Sequence, residues 1–159
     1  MTHTVPTTAT AAPTSDEAGF LRLVLRVDSV STAVMGLVLI AACVPLGSAT
    51  GMPVAFSVAF GIYQLGGAAA LALIAAYPVI PPGLVRAVIA VNAASAVACV
   101  AVAFGDMVPL TGFGVVFMLI GAIVVTVYAT LEYAGLRRMT AAARGVGAAG
   151  QPRGARARM

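Results

Sequence analysis

The stretch FGVVFMLIGAIVVTVYATLEYAGL, residues 113–136, is almost wholly apolar, and its one charged side chain is Glu132. An α-helix rises 1.5 Å per residue, so about 20 residues cross the roughly 30 Å of hydrocarbon in a bilayer. The length and composition of this stretch therefore predict a transmembrane helix. Three similar stretches precede it, and together they predict helices over about residues 22–44, 54–77, 84–104 and 112–136.

The composition of the whole chain also indicates a lipid environment. Of its 159 residues, 61% are hydrophobic and 9% are charged, and the mean hydropathy is +1.05. Soluble domains carry about 25% charged residues, so this chain has too few charges to cover a water-facing surface. The predicted fold class is an all-α membrane protein, a bundle of four transmembrane helices over residues 20–139. Residues 1–19 and 140–159 have no core-forming pattern and are predicted to be disordered tails.

The positions of the basic residues predict the orientation of the bundle. All nine are arginines. Arg22 and Arg26 lie at the start of the first helix, Arg86 lies at the start of the third, and the others follow the fourth. Four crossings put all of them on one side of the membrane, where the positive-inside rule predicts the cytoplasm and both termini. The predicted location is the plasma (inner) membrane. The arginine-rich tail predicts contact with anionic lipids, and no nucleic-acid partner is expected.

The two halves of the chain resemble each other when the sequence is shifted by 64 residues. The shift pairs identical or similar polar residues: Arg22 with Arg86, Asp28 with Asn92, and Ser31 with Ser95. It also overlays the two Val-Pro-Leu motifs at residues 44–46 and 108–110. Two such copies, each a two-helix hairpin, would insert the same way up, with a pseudo-twofold axis along the membrane normal. A chance overlay of low-complexity helices is the alternative.

Four short motifs carry a resemblance to known proteins: RLVLRVD at residues 22–28, VPLG at 44–47, RAVIAVN at 86–92 and LRR at 136–138. Over about residues 20–139, the chain resembles uncharacterised small four-helix integral membrane proteins that are common in actinobacteria. In size and layout it is also loosely similar to DoxX-like proteins. The resemblance implies the four-helix architecture and implies no particular activity.

Two acidic side chains lie within the predicted helices, where a central charge costs roughly 2.5–3.5 kcal/mol on insertion scales. Asp28 and Glu132 both fall in the cytoplasmic half, so each is expected to find a partner there. Arg86 is positioned to bridge them, and with Arg22 these residues form a predicted polar or ion-pair cluster. Three interpretations are open: ion pairs that fix the helix register, a proton- or cation-linked site, or side chains that extend to the membrane–water interface.

Four uncharged polar residues lie deeper in the helices: Ser31, Gln64, Asn92 and Ser95. Amides and hydroxyls can satisfy one another across a helix interface, so these residues are predicted to form intramembrane hydrogen bonds. The alternative is that the two amides orient a ligand.

The sequence contains few reactive groups. Its only histidine is His3, and it has no Cys-x-x-Cys motif or glycine-rich phosphate loop. No catalytic residues, metal site or cofactor are therefore expected. The predicted function is that of a non-enzymatic accessory or structural subunit, which packs as a homo-oligomer or with a larger membrane complex. The alternative is a small transporter or ligand-binding protein with a polar site between its helices.

Overall fold

The computed structural model describes the backbone of residues 15–149 and the side-chain surroundings of residues 18–144. In chain order the helices are α1 (Ser15–Ala41), α2 (Cys43–Thr50), α3 (Val54–Ala76), α4 (Pro82–Phe104) and α5 (Gly112–Ala149). Four of them contain segments long and apolar enough to cross a membrane: Ala18–Ala41, Val54–Ala76, Pro82–Phe104 and Gly112–Arg144. The predicted all-α membrane bundle is thereby confirmed.

The first predicted helix, residues 22–44, is divided between α1 and the short helix α2. Pro45 has no N–H to donate to the carbonyl of Ala41, and its ring crowds that carbonyl, so the helix is interrupted there. α1 accordingly ends at Ala41. α2 is capped by Gly51, whose φ of 80° lies in the left-handed region and whose N–H donates to the carbonyl of Gly47 at 2.8 Å. Glycine adopts this conformation without strain.

The helices at the two ends of the chain extend into the predicted tails. The chain from Thr140 is predicted to be disordered, but α5 continues to Ala149. Alanine has the highest helix propensity, and residues 141–143 are all alanine, which accounts for the extension. α1 likewise begins at Ser15, within the predicted tail of residues 1–19. The remaining parts of both predicted tails, residues 1–14 and 150–159, lie outside the described residues.

The spanning helices pack as two hairpins, α1 with α3 and α4 with α5. α1 and α3 approach closely where Gly36 faces Gly61, because a Cβ atom on Gly36 would lie 2.9 Å from the carbonyl oxygen of Gly61. The hairpins meet along α1 and α5, whereas α3 and α4 touch only weakly. The predicted pseudo-twofold axis maps α1 onto α4 and α3 onto α5, so the α1–α5 contact should have an equally extensive α4–α3 counterpart. The weak contact between α3 and α4 departs from that symmetry.

Hydrogen bonds tie the helices together at both ends of the bundle. At one end, the guanidinium of Arg22 donates to the carbonyl oxygens of Ala75 at 2.8 Å and Pro78 at 3.2 Å. At the other end, the backbone N–H of Thr111 donates to the carbonyl of Thr50 at 2.8 Å. An apolar core lies near each end, and its buried members include Leu21, Leu25, Leu71, Val85 and Leu136 at the first end and Leu39, Met52, Cys99, Met118 and Ala122 at the second.

Candidate functional site

Polar side chains from three helices meet inside the bundle, between the two apolar cores. The Nδ2 atom of Asn92 on α4 donates to Oδ2 of Asp28 on α1 at 3.0 Å and to Oε2 of Glu132 on α5 at 3.2 Å. Oγ1 of Thr32, one turn after Asp28, donates to Oδ1 of Asp28 at 2.9 Å. Because both acids bond to one nitrogen, their carboxyl groups are close neighbours. We refer to Asp28, Thr32, Asn92 and Glu132 as the carboxyl–amide cluster.

The acidic side chains point inward because they lie on the buried faces of their helices. Asp28 follows Leu21 and Leu25 by seven and three residues, and both leucines are fully buried. Glu132 precedes the buried Leu136 by one turn. Residues at these spacings share one face of a helix. The apolar stripes that pack α1 and α5 therefore also carry the two acids into the bundle.

The two acids are buried, and no basic side chain of the described residues pairs with them. Asp28 is 1% exposed and Glu132 is 0% exposed. Oε1 of Glu132 has no hydrogen-bond partner within the described part of the chain. Among residues 18–144, no arginine forms an ion pair with either acid. Two buried carboxyl groups this close together cannot both ionise, so we assign one negative charge to the pair.

The predicted ion-pair cluster thus differs from the structure at its two arginines. Arg22 donates to the carbonyls at the end of α3, and Arg86 is exposed near the start of α4. Asp28 and Glu132 do come together, but Asn92 holds the bridging position that was expected for Arg86. The reason is depth, because Asn92 lies six residues, or about 9 Å, further along its helix than Arg86.

Two serine–tyrosine pairs join helices of different hairpins. The hydroxyl oxygens of Ser31 on α1 and Tyr128 on α5 are 2.9 Å apart. Those of Ser95 on α4 and Tyr63 on α3 are 3.0 Å apart. Both serines are among the predicted hydrogen-bonding residues, whereas the tyrosines and Thr32 are not. The sequence does give one sign of the tyrosines' role, because a phenolic hydroxyl in an apolar helix needs a hydrogen-bond partner when it is buried. No local sequence pattern identifies that partner.

A cavity of about 410 Å³ lies between α3 and α4. Its wall is mainly apolar but includes polar side chains from all four spanning helices, among them Ser31, Thr32, Gln64, Asn92, Ser95 and Tyr128. Gln64 is predicted to form a hydrogen bond across a helix interface. Its side chain lines this cavity, and its amide forms no hydrogen bond within the described part of the chain. Tyr63 and Val91 also line the cavity, although they are 52% and 53% exposed. The cavity therefore opens sideways, between α3 and α4.

Comparisons with protein-family models, curated proteins and solved structures found no match to this chain. The resemblance to small actinobacterial four-helix proteins accordingly stays a prediction. The fold and the site define a multi-pass helical membrane protein. Its distinguishing feature is a side-opening cavity between two helical hairpins, whose wall includes Thr32 and Asn92 of the carboxyl–amide cluster.

Proposed function

We propose that this chain is a non-enzymatic membrane protein that binds a small, mainly apolar molecule taken from the bilayer. The observation that carries the proposal is the cavity of about 410 Å³ between α3 and α4. Small-molecule sites typically measure about 300–1,000 Å³ and combine an apolar wall with a few polar groups that fix orientation. The amides of Gln64 and Asn92 supply such groups within this wall.

An accessory or structural subunit is the second candidate. It concerns the same cavity, whose opening forms a groove between α3 and α4. In that case a helix of a second copy or of a larger membrane partner would lie between α3 and α4. Exposed side chains that line the opening, such as Tyr63 on α3 and Val91 on α4, would contact that helix. A helix in the groove would exclude small molecules, so a single binding experiment distinguishes the two candidates.

We also infer that the protein lies in the plasma (inner) membrane with both termini in the cytoplasm. The distribution of arginines supports this orientation, because they flank the same end of the bundle. Arg137, Arg138 and Arg144 on α5 would then lie at the cytoplasmic surface, where basic side chains favour anionic lipids. The carboxyl–amide cluster would lie in the cytoplasmic half of the membrane.

A photoaffinity experiment with a matched pair of variants tests the binding proposal. Gly67 lines the cavity, and a Cβ atom there meets nothing within 4 Å, so Gly67→Leu fills the cavity without a clash in the fold. Gly66 also has open space around it but does not line the cavity, so Gly66→Leu is the control. The probe is hydroxymethylbenzophenone, a neutral photoreactive molecule, added to the protein in lipid nanodiscs. Mass spectrometry then measures the labelled fraction and identifies the labelled residues.

We expect saturable labelling of cavity residues in the wild type and in Gly66→Leu. In Gly67→Leu the apparent affinity should fall roughly 5- to 150-fold, as expected for an overpacked site that costs about 1–3 kcal/mol. Equal labelling of both variants would contradict the proposal. Labelling that is absent in monomers, together with cross-links between α3 or α4 of different chains, would favour the subunit role instead.

A further inference from the structure

The hydrogen bonds of Asn92 fix which of its atoms a ligand can use. A side-chain amide has two hydrogens and one carbonyl oxygen. Nδ2 directs its hydrogens to Asp28 and Glu132, at 3.0 and 3.2 Å. The oxygen Oδ1 is the remaining polar atom, and none of the hydrogen bonds in the described part of the chain reaches it. Because Asn92 lines the cavity, a ligand there meets a hydrogen-bond acceptor.

The carboxyl groups behind Asn92 give this end of the cavity a negative character. The described arginines near the two acids do not compensate it, because Arg26 and Arg86 are exposed and the side chains of the others have different partners. Arg22 donates to the end of α3, and Arg137 and Arg138 lie over the rings of Tyr133 and Phe20. Charges a few ångström apart interact much more strongly in a low-dielectric interior than in water. A positively charged group in the cavity would therefore be attracted to the cluster.

The unpartnered carboxylate oxygen is an independent sign that the cluster is incomplete. Oε1 of Glu132 is buried and has no hydrogen-bond partner in the described residues, although Glu132 is 0% exposed. A buried acceptor without a donor is uncommon in folded proteins. Glu132 does not itself line the cavity, so a cation there would offset the charge of the cluster through space and would bond to Asn92, not to Oε1.

We propose that the ligand of this cavity carries a protonated amine on an apolar body. The ammonium group donates to Oδ1 of Asn92 and is attracted by Asp28 and Glu132, and the apolar part lies against the walls formed by α3 and α4. This inference rests on the proposed function, since it names the ligand class of the same cavity. A hydroxyl head can donate to Asn92 but lacks the charge attraction. A carboxylate head is repelled by the cluster and offers no donor.

Three benzophenone probes that share one apolar body test this inference. They carry an aminomethyl, a hydroxymethyl or a carboxyl group, and each is photolabelled to the wild-type protein in nanodiscs of neutral lipid. Hydrogen bonds to charged groups are roughly twice as strong as neutral ones. We therefore expect the amine to bind about tenfold more tightly than the alcohol, and the carboxylate to bind most weakly.

The double variant Asp28→Asn/Glu132→Gln isolates the role of the charges. Both substitutions keep a carbonyl oxygen that can accept from Nδ2 of Asn92, so the cavity wall retains its shape. The alcohol should bind this variant within about twofold of the wild type, whereas the amine should weaken to the level of the alcohol. If the double variant fails to bind the alcohol, the single variant Asp28→Asn serves instead, with an expected loss of at least about threefold in amine preference.

The outcomes separate the two proposals. No labelling of the cavity by any probe would overturn the proposed function. Equal labelling by all three probes would leave the binding function standing and overturn the amine inference. An amine preference that persists in the double variant would also overturn it, because the preference would then arise from groups other than Asp28 and Glu132.

Discussion

The α1–α5 interface and the α3–α4 groove carry the same kind of hydrogen bond, yet one is closed and the other is open. The Ser31–Tyr128 bond joins α1 to α5 at 2.9 Å, and the Ser95–Tyr63 bond joins α4 to α3 at 3.0 Å. Side-chain hydrogen bonds between membrane helices contribute only about 0.6 kcal/mol on average. A single such bond therefore connects two helices without drawing them into full contact.

The surroundings of one glycine on each side reflect the difference. At the α1–α5 interface, a Cβ atom on Gly135 would lie 3.1 Å from Cδ1 of Leu21, so the missing side chain allows close approach. At the α3–α4 groove, a Cβ atom on Gly67 would meet nothing within 4 Å. A glycine in a membrane helix allows close packing when a side chain of the opposite helix fills the position beside it. When no side chain fills that position, the glycine leaves an open space.

The largest effect is expected from Asn92→Leu, which removes the bridge between the two sides of the bundle. Asp28 and Glu132 would lose their shared donor while staying buried, and leaving a buried hydrogen-bonding group unsatisfied costs about 1–3 kcal/mol, and more for a charged group. Unfolding in a denaturing detergent, followed by circular dichroism, measures this loss of stability. Ala93→Leu, at an exposed neighbouring position, should change stability by less than about 0.5 kcal/mol. A similar small change for Asn92→Leu would contradict the bridging role.

An intermediate effect is expected from adding the same side chain to the two contrasting glycines. Gly135→Leu places new atoms against Leu21 and should destabilise the protein by about 1–3 kcal/mol, the usual range for overpacking. Gly67→Leu projects into open space and should cost less than about 0.5 kcal/mol. The same detergent unfolding assay compares them. Equal losses would mean that α3 and α4 close together in the membrane.

The smallest effect is expected from removing each serine hydroxyl. Ser31→Ala and Ser95→Ala should each reduce stability by about 0.6 kcal/mol, because each loses one interhelical hydrogen bond. Their effects on access should differ, since the Ser95–Tyr63 bond crosses the cavity opening. The initial rate of photolabelling by hydroxymethylbenzophenone should rise in Ser95→Ala and stay unchanged in Ser31→Ala. Identical rates would show that Ser95 and Tyr63 do not limit access.

The spanning helices are predictable from the sequence because apolar length is a local property. Each of the four predicted segments corresponds to a candidate span, and only the ends differ. The interruption after Ala41 has a local cause in Pro45, and the extension of α5 has one in the alanines after Thr140. Both features can be predicted from the sequence. The inward position of Asp28 and Glu132 is equally local, because it follows from the apolar face of each helix.

Two features depend on how the helices pack and not on local sequence. They are the identity of the residue that bonds to the two acids, and the presence of the cavity. Arg86 and Asn92 lie on the same helix, and the position of α4 along the bundle axis relative to α1 decides which one meets Asp28. The cavity exists because α3 and α4 fail to pack, and no periodicity or motif reports a missing contact. The 64-residue repeat stays a prediction, although the two residues that it pairs, Asp28 and Asn92, are bonded directly to each other.

The hydrogen bonds of Arg22 and Thr111 tie helices together at the two ends of the bundle, whereas the gap between α3 and α4 runs along its side. A molecule in the cavity would therefore exchange with the lipid phase and reach the site by diffusion in the plane of the membrane. Its occupancy would follow its chemical potential in the bilayer. A compound that partitions strongly into lipid would saturate the site at a lower aqueous concentration than its contacts with the protein alone imply.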